Sequence, residues 1–340
     1  NALLLDAASD HPSIDIHFNY GVQYADVKSA RVIGTIGNTS ETFDFTGDVL
    51  IGTDGAGSEV RNGFSQIGST IRFNYSLQWL DHGYKELEIP AGPNASWLIE
   101  KNALHIWPRQ SFMVIALPNL DGSFTVTLFL AFDSTPGFNQ LQTDKEILDF
   151  FNDQFPDLVA LMPDLVQDFK LHPTGALGTV KCGPWNTEKS LLMGDAAHAV
   201  VPFYGQGMNC SMEDVLKLDL CLDEVSENWP KAFDLYYAGR KKDADAIADL
   251  AVENYYEMRD HVDNPDFIAK RAIEMKLEKN FPGYASKYNL VTFCEDVPYS
   301  VAKEKGNKQD KWLLDYCSKG KTADISSDEL ERVYKALMNV

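Results

Sequence analysis

Two stretches of the chain carry residue types spaced for chemistry. In the first, Leu191-Leu192-Met193-Gly194-Asp195-Ala196-Ala197-His198 runs on through Pro202-Phe203-Tyr204-Gly205-Gln206-Gly207-Met208-Asn209. An apolar strand ending at Asp195 delivers a carboxylate to the edge where open α/β sheets bind ligands. A carboxylate there accepts hydrogen bonds from sugar-type hydroxyls. Gly205 and Gly207 let backbone N–H groups approach a flat ligand, and a helix behind them adds a partial positive charge that favours an anion. That helix is expected to begin at Ser211-Met212-Glu213-Asp214, with Ser211 and Asp214 as the capping pair. The alternative is a hydrolase or metal site on Asp195 and His198. No Gly-x-Ser-x-Gly elbow supports the first and no second ligand pair supports the second. The other stretch, Thr53-Asp54-Gly55-Ala56-Gly57-Ser58-Glu59-Val60-Arg61, follows a buried apolar run and opens a helix. Taken alone it is a plain strand-to-helix turn or a weak dinucleotide-like glycine turn.

A third feature is a polar residue in an apolar stripe. Ile247, Ala251, Met258 and His261/Val262 trace one helical face, and Asn254 falls inside it. A buried amide must find a hydrogen-bond partner, either a neighbouring backbone group or a ligand.

The elements that must position these residues follow from periodicity. Alternation predicts strands at 14–18 and 31–36, and the continuous apolar runs at 49–52 and 190–194 predict strands buried on both faces. Further strands are expected at 104–107, 112–117 and 124–132. Along them Met113, Ile115 and Leu117 share one face, as do Thr127 and Phe129. A three-residue loop at Asp121-Gly122-Ser123 would set Leu117 opposite Thr127 and Ile115 opposite Phe129; a two-residue loop would send the two sets to opposite faces. Read without further information, such stripes are sheet core. Helical periodicity occupies 144–155 and almost everything after 211. Residues 303–324 are polar and read as a loop or hinge before a short helix capped by Ser326 and Glu329.

Composition narrows the function classes. The 340 residues suggest about two domains. The 44% hydrophobic and 24% charged content is that of a globular protein. Residues 1–5 look like helix interior rather than a signal peptide, and no apolar run approaches the ~20 residues of a membrane span. With 30 basic against 50 acidic residues, the net charge of −20 argues against a general nucleic-acid or anionic-lipid surface. An anionic cofactor therefore needs local backbone donors or a few basic side chains. Five scattered cysteines without a CxxC pair point to a reducing compartment, and seven histidines show no metal-ligand spacing.

Gly194-Asp195-Ala196-Ala197-His198 followed by Pro202 and Gly205-Gln206-Gly207-Met208-Asn209 resembles the second FAD-binding signature of the single-component flavoprotein aromatic hydroxylases. Beside it, Asp54-Gly55 resembles the Asp-Gly motif of the same family, which serves both FAD and NADPH. The resemblance implies flavin contacts from Asp195, Gly205, Gln206, Gly207, Met208 and Asn209, and cofactor-side roles for Asp54 and Gly55. Four further stretches narrow it to the branch of the family that hydroxylates L-kynurenine. These are His82-Gly83-Tyr84-Lys85-Glu86-Leu87, Leu104-His105-Ile106-Trp107-Pro108-Arg109, Ile115-Ala116-Leu117-Pro118-Asn119 and Asn254-Tyr255-Tyr256-Glu257-Met258-Arg259. The likeness runs along nearly the whole chain. It implies an aryl pocket from Leu104, Met113, Ile115, Leu117, Thr127, Phe129, Pro202 and Phe203. Asn254 and Tyr288 would hydrogen-bond the substrate's amino-acid group.

By resemblance, NADPH reduces FAD, O2 adds to give a flavin hydroperoxide, and its distal oxygen goes to the ring carbon ortho to the aniline amine. No side chain acts as a nucleophile and no metal is needed. The expected architecture is an α/β flavoprotein hydroxylase fold with FAD/NAD(P)-binding parts at 1–70 and 176–225, a mixed β-sheet substrate domain at 71–175, and a C-terminal helical layer at 226–340. A Gly-x-Gly-x-x-Gly fingerprint at the family's position, which cradles the FAD pyrophosphate, does not occur in this sequence. The chain is thus expected to begin about a third of the way into the enzyme, with an N-terminal segment of the same enzyme as partner. The family's C-terminal hydrophobic anchor is likewise expected to lie outside this chain; the place the resemblance implies is the cytosolic face of the mitochondrial outer membrane. The rivals are a hydroxylase of another aromatic substrate and a catalytically silent fragment or binding module with this fold.

Overall fold

A computed structural model describes residues 2–258, 264–320 and 324–339. The chain divides into two compact units. The first comprises residues 1–76, 180–199 and 208–241; the second comprises residues 77–179, 200–207 and 242–340.

In the first unit, strands Tyr20–Asp26, Arg31–Ile36 and Thr42–Thr46 form an antiparallel meander. A Cβ at Gly34 would lie 1.9 Å from the Gly21 carbonyl oxygen and 2.7 Å from the Phe43 ring, so only glycine fits there. The alternation at 14–18 does not make a strand. Ile14 and Phe18 are exposed, and the pairing begins at Tyr20, after Asn19 turns the chain at a left-handed φ of 65°. A period-two pattern specifies a strand only where a neighbour accepts its hydrogen bonds. The two continuous apolar runs do pair with each other, in parallel, with Leu50 beside Ser190, Ile51 beside Leu191 and Gly52 beside Leu192. Each run feeds a helix, Glu59–Gln66 after the first and Asp195–His198 after the second.

The second unit is built on a five-stranded sheet. Its spatial order is His105–Pro108, Met113–Pro118, Phe124–Ala131, Asn74–Ile89, Gly175–Gly183. The hairpin register is Met113 opposite Phe129, Ile115 opposite Thr127 and Leu117 opposite Thr125. The pairs differ from the expected ones by two residues, because Pro118 and Phe124 close a five-residue loop. A shift of two preserves the face, so Met113, Ile115, Thr127 and Phe129 do share one side. The opposite side, with Val114, Ala116, Val126 and Leu128, packs with Phe151, Phe155 and Phe169 into the main core. Fully burying each such ring contributes roughly 1.5–3 kcal/mol. The helix Asp144–Gln154, closed by a Thr143/Glu146 capping box, belongs to this layer.

Helices Pro265–Asn280, Lys287–Thr292, Tyr299–Ser318 and Ser327–Leu337 complete the second unit. Residues 303–318 are therefore helix, not loop, while 321–323 lie outside the described residues. The buried stripe of Tyr299–Ser318 is Ala302, Gly306, Gln309, Asp310, Leu313 and Cys317. It has helical spacing but is made largely of small and polar residues, so a search for apolar periodicity passes over it.

Candidate functional site

Asp195 follows Gly194, whose φ of 56° lies in the left-handed region that glycine adopts at least cost. A Cβ at Gly194 would also lie 3.2 Å from the Ser211 hydroxyl, so the turn presses against the helix Gly207–Glu224. That helix starts four residues before the expected Ser211, and Asp214 is not a cap. Asp214 is buried and accepts hydrogen bonds from the Gly194 N–H at 3.0 Å, His198 Nε2 at 2.6 Å and Arg240 Nε at 2.9 Å. From the helix Gly207–Glu224, one carboxylate thereby holds the strand-end turn, the short helix Asp195–His198 and Arg240 of the helix Trp229–Tyr256. Asp195 itself is exposed, as an acceptor for ligand hydroxyls must be. The protein packed around its base raises its carboxyl pKa, while His198 acts in the opposite direction.

Burial disfavours the His198 cation, but the Asp214 carboxylate more than offsets that cost and pushes its pKa up to about 10. Asp214 is held below its ordinary value: burial raises it, and His198 and Arg240 outweigh burial. Arg240 also meets Glu213 at 2.9 Å. His198, Cys210 and Asp214 bring potential metal-ligand atoms within 4.8 Å of one another. Asp214 is also engaged by three donors, and with His198 and Arg240 it forms a buried ion-pair core. His198 pairs with Asp214 rather than with Asp195.

Asp54 accepts hydrogen bonds from the Ser58 hydroxyl at 2.5 Å and from the Glu59 and Val60 N–H groups at 2.8 and 3.1 Å. It thus holds the start of the Glu59–Gln66 helix, and Ser58 caps the same helix through the Arg61 N–H. Gly55 has a φ of 80° with open space around it. Arg61, which sequence reasoning left without a role, is buried and donates to the Ala196 carbonyl at 2.9 Å and to the Ala56 carbonyl. One guanidinium therefore ties the Asp54 turn to the Asp195 turn.

Each unit, taken by itself, leaves some of these residues open to a ligand. Asp195 and Asn209 are exposed, Asn209 in the first turn of an eighteen-residue helix. Gly205 has a φ of 64°, and a Cβ there would meet nothing within 4 Å, which leaves backbone open to a flat ring. Gln206 is buried and accepts from the Tyr299 hydroxyl at 3.0 Å; Gly207 begins the helix, and Met208 is exposed.

The second unit holds a cavity of about 260 Å³. Its apolar lining includes Leu104, Ile106, Phe203 and Met258, and its polar lining includes Asn254, Tyr204 and Tyr288. The Asn254 amide donates to the Phe203 carbonyl at 2.6 Å, so the buried Asn has a backbone partner while it lines the cavity. Tyr288 stacks on Tyr204 with ring centroids 5.8 Å apart. Met113 and Phe129 are fully buried behind this wall and share a cluster with Phe203, whose ring lies 4.9 Å from that of Phe129. Ile115, Thr127, Leu117 and Pro202 do not line the cavity, and Leu117 and Pro202 are exposed. Arg259, His261 and Val262 lie outside the described residues.

Sequence reasoning missed the charged side of this cavity. Lys270 meets Asp310 at 2.6 Å and Glu274 at 3.4 Å; Lys287 meets Asp310 at 2.7 Å and Glu257 at 3.3 Å. Burial lowers the pKa of both lysines, but the surrounding carboxylates outweigh it and raise both, so both remain cations. Burial pushes the Glu274 carboxyl up, with Lys270 opposing. The only signal in the sequence was the i,i+4 pair Lys270/Glu274, which is common on exposed helices.

A family model for an FAD binding domain matches residues 1–251. A kynurenine 3-monooxygenase of Myxococcus xanthus is 45% identical over 90% of this chain and 65% of its own length. One from Dictyostelium discoideum is 49% identical over 76% and 58%, and one from Legionella pneumophila 39% identical over 93% and 70%. The chain thus spans 58–65% of the first two of these relatives. Among solved structures, a variant of 2-methyl-3-hydroxypyridine-5-carboxylic acid oxygenase aligns with a TM-score of 0.61 at 22% identity, covering 78% of this chain and 67% of that one. That likeness shows the fold alone. A match along most of the chain to FAD-binding sequence, joined to relatives of this identity, places the protein in the kynurenine 3-monooxygenase family of FAD-binding proteins.

Proposed function

We propose that this chain takes part in the FAD- and NADPH-dependent hydroxylation of L-kynurenine to 3-hydroxykynurenine with O2. The observation that carries this reading is the cavity of the second unit. Its lining combines apolar and aromatic side chains with paired charges of both signs. That combination suits an aryl ring joined to an ammonium and a carboxylate. Phe203, Met258 and Leu104 would exclude water from the ring, with Met113 and Phe129 setting the position of Phe203 from behind. Asn254 and Tyr288 would orient the amino-acid group.

Asp54, Gly55, Asp195, Gly205, Gln206, Gly207, Met208 and Asn209 are proposed as flavin-side residues. Bound flavin supplies the oxygen chemistry; the protein supplies orientation and charge. Asp195 would accept from ribityl hydroxyls, and the start of the Gly207–Glu224 helix would favour negative charge on the ring. By the same family resemblance, the proposed location is the cytosolic face of the mitochondrial outer membrane. No described helix is long and apolar enough to cross a membrane.

The test is L-kynurenine-stimulated NADPH oxidation with equimolar 3-hydroxykynurenine, measured by mass spectrometry. It is run on the chain with FAD, alone and co-expressed with a segment carrying the glycine fingerprint. Product in either preparation supports the reading. A yellow preparation that oxidises NADPH in response to other aromatic acids but not kynurenine would overturn the substrate assignment.

A further inference from the structure

The charged side of the second unit's cavity is tied together by a residue that is not part of its lining. Asp310 is buried on the helix Tyr299–Ser318, with Lys270 Nζ 2.6 Å from one of its oxygens and Lys287 Nζ 2.7 Å from the other. Both lysines do line the cavity, as do Glu257, Arg271 and Glu274. Lys287 continues to Glu257, Lys270 continues to Glu274, and Arg271 meets Glu274 at 3.3 Å. Three cations thus face three carboxylates along one wall.

Burying these charges adds little net stability, because desolvation cancels most of the attraction. What they fix is geometry. Lys287 directly precedes Tyr288, and Glu257 stands three residues after Asn254. The path from Asp310 through Lys287 to Glu257 therefore joins the segments that carry the two residues proposed to orient the amino-acid group. The backbone of the Asp310 helix is pressed onto that path. A Cβ at Gly306, one turn before Asp310, would lie 2.5–3.0 Å from Lys287 Cγ, Cβ and Cα. Earlier along the same helix, Lys303 meets Asp249 at 2.6 Å and Glu253 at 3.5 Å, and the Asn307 amide donates to Glu253 at 3.4 Å. Asp249, Glu253 and Glu257 recur every four residues, so they form a row that runs to the cavity wall.

We propose that Asp310 is a positioning residue for the amino-acid head of the substrate. It acts through Lys287, whose ammonium it shares with Glu257, and so sets Tyr288 and Asn254 across the cavity. This role rests on the kynurenine reading of the cavity and adds to it a determinant that touches no ligand.

The experiment compares L-kynurenine with 2-aminoacetophenone, which has the same aminophenyl ketone and no amino-acid head. Dissociation constants are measured by calorimetry on the chain with FAD, alone and co-expressed as in the turnover test, and on its Asp310→Asn, Lys287→Met and double variants. Asp310→Asn should weaken kynurenine by roughly tenfold, the scale of one charge-assisted hydrogen bond, and leave 2-aminoacetophenone nearly unchanged. In the Lys287→Met background the same substitution should add no further loss, because the path is already cut. A merely structural role would weaken both ligands alike and add to the loss from Lys287→Met; either result overturns the proposal while leaving the kynurenine reading in place. If Asp310→Asn does not fold, Lys287→Met alone must show the head-selective loss, and an even loss on both ligands overturns the proposal. Wild-type protein that binds neither ligand in either preparation would remove the kynurenine reading, and this role with it.

Discussion

Asp214 accepts hydrogen bonds from Gly194, His198 and Arg240 in the core of the first unit, and its loss is expected to be costly in a way that its neighbours' is not. Asp214→Asn leaves two cations buried with a neutral partner, so destabilisation of about 3–5 kcal/mol in urea unfolding is expected. The pH dependence has a definite sign. The pKa of His198 rises from 6.5 to about 10 on folding, so its contribution is complete below 6.5 and disappears as pH climbs through 10. That of Asp214, whose pKa falls on folding, is present above 3.8 and lost as pH falls further. Unfolding free energy should therefore drop between pH 6.5 and 10, by up to about 5 kcal/mol, and the drop should shrink in His198→Asn. A flat profile over that range would remove the protonated His198 from the account. Asp195 makes the contrast. It is exposed and holds nothing together, so Asp195→Ala should leave the melting temperature unchanged. FAD should bind that variant one to two decades more weakly, the value of roughly 1.5–3 kcal/mol for a charge-assisted hydrogen bond. Retention of flavin through dialysis by that variant would count against the assignment.

At the scale of elements, Asn254 and Tyr288 reach the same cavity from different backgrounds and should separate on mutation. Asn254→Ala orphans the Phe203 carbonyl, so it should lower stability by about 1–3 kcal/mol and raise KM for kynurenine as well. Tyr288→Phe keeps the stack on Tyr204 and should raise KM with stability nearly unchanged. Equal melting temperatures for the two variants would contradict the geometry. Gly306 offers a second test. Alanine there improves helix propensity by about 1 kcal/mol. Its Cβ would nonetheless lie 2.5–3.0 Å from Lys287 side-chain and Cα atoms. Overpacking costs typically 1–3 kcal/mol, and a backbone atom cannot swing aside, so Gly306→Ala should lower the melting temperature. The same helix shows where sequence reading stops. Continuous apolar runs at 49–52 and 190–194 identified two buried strands but not their pairing, and turn residues identified the hairpin. The stripe Ala302, Gly306, Gln309, Asp310 earns burial only because Lys270 and Lys287 arrive from other helices. No local pattern encodes that pairing. Asp214 was misread for a related reason: an acidic residue early in a helix resembles a cap until its three distant donors are seen.

Across the whole molecule, charge and apolar exposure pull against each other. A net charge of −20 disfavours self-association by simple repulsion. Yet the helix Gly207–Glu224 turns its polar Asp214 inward and leaves Met208, Met212, Val215, Leu216 and Leu220 each more than half exposed. Their spacing of three to four residues gathers them on one side of the helix, opposite Cys210, Asp214 and Leu218. A stripe of this kind is an aggregation liability in water whatever the net charge, because repulsion is screened beyond about 8–10 Å while apolar contact is not. The chain should therefore bind the dye ANS in its folded state and scatter light increasingly as salt is raised. Met212→Lys with Leu216→Lys should lower both signals. Because both side chains are more than half exposed, the substitutions should change unfolding free energy by no more than about 0.5 kcal/mol each. Unchanged dye binding together with a large loss of stability would mean instead that this face of the helix is packed against the protein in solution.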